Sequence, residues 1–190
     1  MNKIEKTFAN VQLFSSNIYV ADYTLQTGSK KKVTIQDSPF NDIQYFTLQN
    51  DSKLSVLAVN FEHNKGFFPS GVRDCECMMH IQNVKDGWLL LCELKYCQEN
   101  NIASNADEAY DQLVSTWQLM ADRKLFNKRR TNSYLNISVP DHSIRAPFVA
   151  FCATQDDKIR WMRKKKIHLL GYNEVLVVNE GILTVPFVEI

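Results

Sequence analysis

The chain has 190 residues, with 22 Lys and Arg against 21 Asp and Glu, for a formal net charge of +1. That balance excludes a globally basic nucleic-acid binder and leaves such a role to local basic runs. The 45% hydrophobic and 11% aromatic content suffices for a full core and excludes a disordered chain, and the length predicts one domain, 1–190.

In chain order, Ile4 to Phe14 predicts a short helix with Ile4, Phe8 and Val11 on one side. Strand-like pieces follow at Asn17–Leu25, Lys32–Gln36, Ile43–Leu48 and Leu54–Phe61, punctuated by turn residues such as Gly28-Ser29, Ser38-Pro39 and Asn50-Asp51-Ser52. Residues 1–68 therefore read as a β-rich N-terminal elaboration with antiparallel pairing. A hairpin is predicted next, with arms Asp74–Gln82 and Gly87–Tyr96. Ser104-Asn105-Ala106-Asp107 has the form of a helix start. Beyond it Ala109, Tyr110, Leu113, Val114, Trp117, Met120 and Leu125 recur at helical spacing as far as the basic run Lys128-Arg129-Arg130. Pro147–Cys152 reads as a buried strand, Asp156–Lys166 as a charged helix, and Glu174–Val178 and Leu183–Val188 as late strands. Strands followed by helices from residue 69 to 190 predict an α+β core with a mixed central sheet.

Cysteines 75, 77, 92, 97 and 152 are odd in number, and most lie in apolar segments, as expected of reduced, buried thiols in a cytoplasmic protein. Their spacing lacks the paired knuckles of a zinc site, and Cys75, Cys77 and Cys92 are expected on the core-facing side of the hairpin. No run approaches the roughly 20 apolar residues of a membrane-crossing helix, and Met1–Lys6 has no signal-type apolar segment.

The chemistry concentrates in the hairpin. Trp88-Leu89-Leu90-Leu91-Cys92 is continuous with Glu93-Leu94-Lys95, so an acid and a base project from one face of an otherwise apolar strand. Charges there are costly unless they are paired or bind a metal. Alternation on the first arm places Asp74, Glu76, Met78 and His80 on one face, so an acid of this arm meets Glu93 and Lys95 across the strands. Two close carboxylates repel, and a hard cation such as Mg²⁺ or Mn²⁺ relieves that repulsion.

The stretch Arg73-Asp74-Cys75-Glu76-Cys77-Met78-Met79, followed by Leu91-Cys92-Glu93-Leu94-Lys95-Tyr96, resembles the active-site hairpin of the PD-(D/E)XK nuclease superfamily. Tyr110-Asp111-Gln112-Leu113 resembles the Gln-Leu on the following helix of many members. The resemblance implies a restriction-endonuclease-like fold and Mg²⁺- or Mn²⁺-dependent hydrolysis of nucleic-acid phosphodiesters, with DNA as the expected partner. Glu76 and Glu93 would be the metal ligands, with Asp74 as the alternative first acid. Lys95 would position water, and Gln112 would support the site. Glu5 is the one candidate for the acid that some members carry on a first helix. The same resemblance would make Lys128, Arg129, Arg130, Arg163, Lys164, Lys165 and Lys166 phosphate contacts. The near-neutral charge favours the alternative of a catalytically silent nuclease-fold interaction module, served by a homodimer or a specificity partner.

Overall fold

A computed structural model describes residues 3–24, 32–84, 86–142 and 162–186. The predicted strand Pro147–Cys152, Cys152 itself and most of the predicted helix Asp156–Lys166 lie outside the described residues. Of that helix, residues 162–164 are helical.

The chain begins with helix α1 (Lys3–Thr7) and strands β1 (Gln12–Phe14), β2 (Ile18–Asp22), β3 (Val33–Gln36), β4 (Phe46–Gln49) and β5 (Val56–Asn60). The hairpin β6 (Cys77–Ile81) and β7 (Leu89–Leu94) precedes the long helix α2 (Ile102–Asp122). Strands β8 (Ser133–Ser138), β9 (Ile167–Leu170), β10 (Glu174–Asn179) and β11 (Ile182–Thr184) complete the described elements.

The strands form two sheets, of order β1-β5-β6-β7-β8-β9 and β11-β10-β4-β2-β3. In the first, β5, β6 and β7 run antiparallel, and β8 and β9 join parallel to β7. A parallel neighbour needs a crossover, and α2 supplies it between β7 and β8. The result is a mixed α+β architecture.

Burial explains why β7 is apolar throughout. Leu90, Cys92 and Leu94 belong to a core shared with Ile18, Val20, Phe46 and Leu48 of the second sheet. Leu89 and Leu91 join a separate core with Leu113, Trp117 and Met120 of α2 and Ile4 of α1. The first sheet is thus the middle of three layers, and a strand covered on both faces reads as a continuous hydrophobic run.

Several sequence expectations change. The first helix stops at Thr7, because Asn64 pins the chain beyond it: its Oδ1 accepts from Ala9 N at 2.7 Å and its Nδ2 donates to Ala9 O at 3.1 Å. Asn10 then takes a left-handed φ of 54°, and 12–14 become an edge strand. Helix α2 starts at Ile102 rather than at Ser104, whose hydroxyl donates back to Asn101 O. The strands β8 and β9 were not foreseen. The boundary at residue 68 does not separate the sheets, since β5 lies beside β6 while β10 and β11 join β4. The second sheet is mixed as well, because β10 runs parallel to β4.

Candidate active site

The β6–β7 ladder ends at Cys77 opposite Cys92. One position further, Glu76 falls opposite Glu93, and there side chains replace the backbone rungs. Glu93 Oε2 accepts from Glu76 N at 3.0 Å, and Glu76 Oε2 accepts from Leu94 N at 2.9 Å. Each carboxylate is fixed by a backbone amide at the mouth of the hairpin, and the two lie close enough to repel. The carboxyl of Glu76 is pushed well above its usual range, first by loss of water and then by Glu93. That of Glu93, only 2% exposed, is pushed up to about 7 by burial, against the opposing pull of Lys95.

Lys95 Nζ pairs with Glu93 Oε1 at 2.7 Å and donates to Gln112 Oε1 at 2.8 Å. Gln112 completes the chain through its Nε2, which donates to Asp74 O at 3.1 Å. Gln112 therefore joins helix α2 to both arms of the hairpin. Thr116, one turn further along α2, accepts from Cys75 N at 3.0 Å and fixes the approach to Glu76.

The structure brings together Glu76, Glu93, Lys95 and Gln112, with Asp74 at the margin. The Asp74 carboxylate turns outward to Lys65 at 2.6 Å, and it is the backbone of Asp74 that touches Gln112. Cys75 departs from the expected alternation: it packs in the core on the α2 side, while Cys77 and Cys92 face the second sheet. The reason is local, since β6 begins only at Cys77 and the chain bends at Glu76.

Other candidates lie elsewhere. Glu5 Oε1 accepts from Gln82, at the opposite end of β6 from Glu76, so it does not contribute to this site. The basic runs are also at the far end. Arg130 pairs with Asp86 in the β6–β7 turn, and Lys166 leads into β9, whose first residue lies in register with Ser133 and, through it, with the start of β7. The carboxylates sit at the other end of these strands. Lys128, Arg129, Arg130, Arg163, Lys164, Lys165 and Lys166 are therefore not gathered around the acidic pair. His80 is on the helix-facing side of β6 but is likewise displaced, its Nδ1 donating to Trp88 O.

Two contributors were missed. Asp22, at the end of β2, is 9% exposed and acts electrostatically on both Glu76 and Glu93. Tyr96 links the sheets beside them, its hydroxyl donating to Gln44 O at 2.6 Å and accepting from Asp22 N at 3.4 Å. An acid closing the apolar run Ile18–Asp22 is the same kind of signal that marked Glu93.

The oxygen donors of Glu76 and Glu93 suit a hard divalent cation, and their mutual repulsion gives it something to relieve. Among the described residues, no group of three His, Cys, Asp or Glu side chains is arranged to hold a metal ion. A cation here would complete its shell from water or substrate. Comparison of the chain with protein-family models, curated proteins and solved structures finds no match.

Proposed function

We propose that the protein is a divalent-metal-dependent phosphodiesterase of PD-(D/E)XK type acting on nucleic acid, with DNA as the expected substrate. One observation carries the reading: the reciprocal carboxylate–amide locking of Glu76 and Glu93, with Lys95 held between Glu93 and Gln112. The hairpin, the Glu-x-Lys strand end and the glutamine on the following helix are what the restriction-endonuclease-like resemblance implies. Their arrangement on one sheet end supports it. Between the two possible first acids, the geometry favours Glu76 over Asp74.

Glu76 and Glu93 would hold Mg²⁺ or Mn²⁺. The cation would lower the cost of deprotonating water and offset charge on the phosphate. Lys95 contributes a localised positive charge beside Glu93, and Gln112 fixes its ammonium. Gln112 thus acts through Lys95 as a positioning residue.

The test is cleavage of plasmid and oligonucleotide DNA with Mg²⁺ or Mn²⁺. Glu93→Ala is expected to lower the rate by about a thousandfold or more. Full metal-dependent activity in Glu93→Ala would sink the reading.

A silent interaction module is favoured by the engagement of Lys95 with both Glu93 and Gln112, and by the distance of the basic runs from the site. Calorimetry separates the two readings: no heat of Mn²⁺ binding at millimolar metal, together with no cleavage, selects the interaction module.

A further inference from the structure

The near-zero net charge hides a segregation of charge that the fold creates. Strands β7, β8 and β9 run parallel, with Leu89, Ser133 and Ile167 in register at their starts. The run Lys128-Arg129-Arg130 stands shortly before Ser133, and Arg163-Lys164-Lys165-Lys166 immediately precedes Ile167. Ser133 N donates to Lys166 O at 3.0 Å, so two runs more than thirty positions apart in sequence meet at one end of the first sheet. Seven of the 22 basic residues lie there, which leaves 15 to balance the 21 acidic ones.

Six of the seven are exposed, and Lys165 is half-buried. Only Arg130 of the seven has an ion-pair partner among the described residues, Asp86 at 3.4 Å. Like charges gathered in this way repel, so the cluster works against stability. Lys166 adds a left-handed φ of 56°, a conformation that favours glycine. Helix ends do not account for the charge. Helix α2 stops at Asp122, six residues before Lys128, and the field of a helix end fades within its last turn.

Both runs are nevertheless held in defined turns. Asn127 Oδ1 accepts from Arg129 N at 3.1 Å, and Asn127 O accepts from Thr131 N at 2.9 Å. In the second run Lys165 N donates to Met162 O at 2.9 Å. The runs contain no aromatic side chain on which an unpaired base could stack. They also offer nothing for insertion into a bilayer, since the flanking Thr131, Met162 and Ile167 are buried. What such a surface can do is meet phosphates, and a duplex carries one negative charge about every 1.7 Å of its axis.

We infer that this basic end of the first sheet binds the sugar–phosphate backbone of duplex nucleic acid without reading its sequence. Arginine and lysine on preset turns supply contacts that position a duplex and carry no base information. The surface lies at the opposite end of β7 from Glu93. Its binding holds whether or not the carboxylate pair hydrolyses anything.

The test is fluorescence anisotropy of a labelled DNA duplex of about 25 base pairs, titrated with the full chain in EDTA so that no cleavage intervenes. A Kd on the order of micromolar is expected at about 50 mM salt. With four or five phosphate contacts, affinity falls about a hundredfold or more between about 50 and about 200 mM salt. Lys128→Gln with Arg129→Gln, and Arg163→Gln with Lys164→Gln, should each weaken binding about tenfold and lower the salt slope by about 2. Arg73→Gln, which removes an exposed cation beside Asp74, should leave binding unchanged. Thermal melts check that each variant is folded, and the salt slope of the unaltered protein stands even if one is not. No binding at about 50 mM salt overturns the inference, as does unchanged affinity in both folded double variants. Preference for a single-stranded oligonucleotide or for phosphatidylserine vesicles over duplex overturns it too. So does lost binding in folded Arg73→Gln, which moves the contact to the carboxylate end.

Discussion

Glu93 carries opposing demands at the residue scale. It is buried, paired with Lys95, bonded to the Glu76 amide, set against the Glu76 carboxylate that it repels, and repelled in turn by Asp22. Its folded pKa of about 7 lies above the ordinary 4.5, so the folded state holds the proton more tightly than the unfolded chain does. Stability from this group is therefore complete below about pH 4.5 and is lost as pH rises through about 7. In metal-free buffer, urea unfolding of the native protein should lose on the order of 3 kcal/mol across that interval. Glu93→Gln should flatten the slope, and an unchanged pH dependence in that variant would contradict the assignment. Lys95→Ala removes a buried pairing: at pH 8 it strands a carboxylate and should cost about 3 kcal/mol, with a smaller cost at pH 5, where Glu93 is protonated. Denaturant melts at the two pH values measure the difference.

At the scale of elements, β7 is the strand on which both cores depend. Leu91 is fully buried against α2, and Leu91→Ala should lose about 2–5 kcal/mol in urea unfolding. The entry to β7 is held by the β10–β11 turn, with Trp88 N donating to Glu180 O and Trp88 Nε1 to Asn179 O, both at 3.1 Å. Gly87 lies under this turn, where an added Cβ would meet Ile81 Cγ2 and approach Glu180 O to 2.8 Å. Gly87→Ala should cost about 1–3 kcal/mol, read as a lowered Tm. Helix α2 and the β6–β7 hairpin were legible because their periodicity is local. β8 was not. Its sequence, Ser133-Tyr-Leu-Asn-Ile-Ser138, buries Ser133, Asn136 and Ser138, a poor strand-core signal. Asn136 exchanges hydrogen bonds with the Tyr172 backbone, and Ser138 donates to Asn173, so these two polar side chains are satisfied by residues more than thirty positions away, while the Ser133 hydroxyl has no partner among the described residues.

For the whole molecule, the two sheets interleave the chain. The central sheet takes β1 and β5 from the N-terminal third, and the second sheet takes β10 and β11 from the C-terminal end. A fragment of residues 69–190 would expose the edge of β6 and one face of the central sheet. It should give a poorly dispersed amide NMR spectrum; native-like dispersion would show that the core needs neither β5 nor the second sheet. No described helix is long and apolar enough to cross a membrane.

By itself the sequence determined the amphipathic α2, the doubly buried β7, and the presence of Glu93 and Lys95 where charge is costly. Each is a local pattern: a period, an apolar run, and a charge that breaks it. Only the tertiary structure decided which acid faces Glu93, turning Asp74 toward Lys65 and Glu76 inward. It also brought Asp22 and Tyr96 to the site, excluded Glu5, and set the basic runs at the opposite end of the strands. Those outcomes follow from register and from sheet-to-sheet packing, which join residues distant in sequence and leave no periodic trace in the chain.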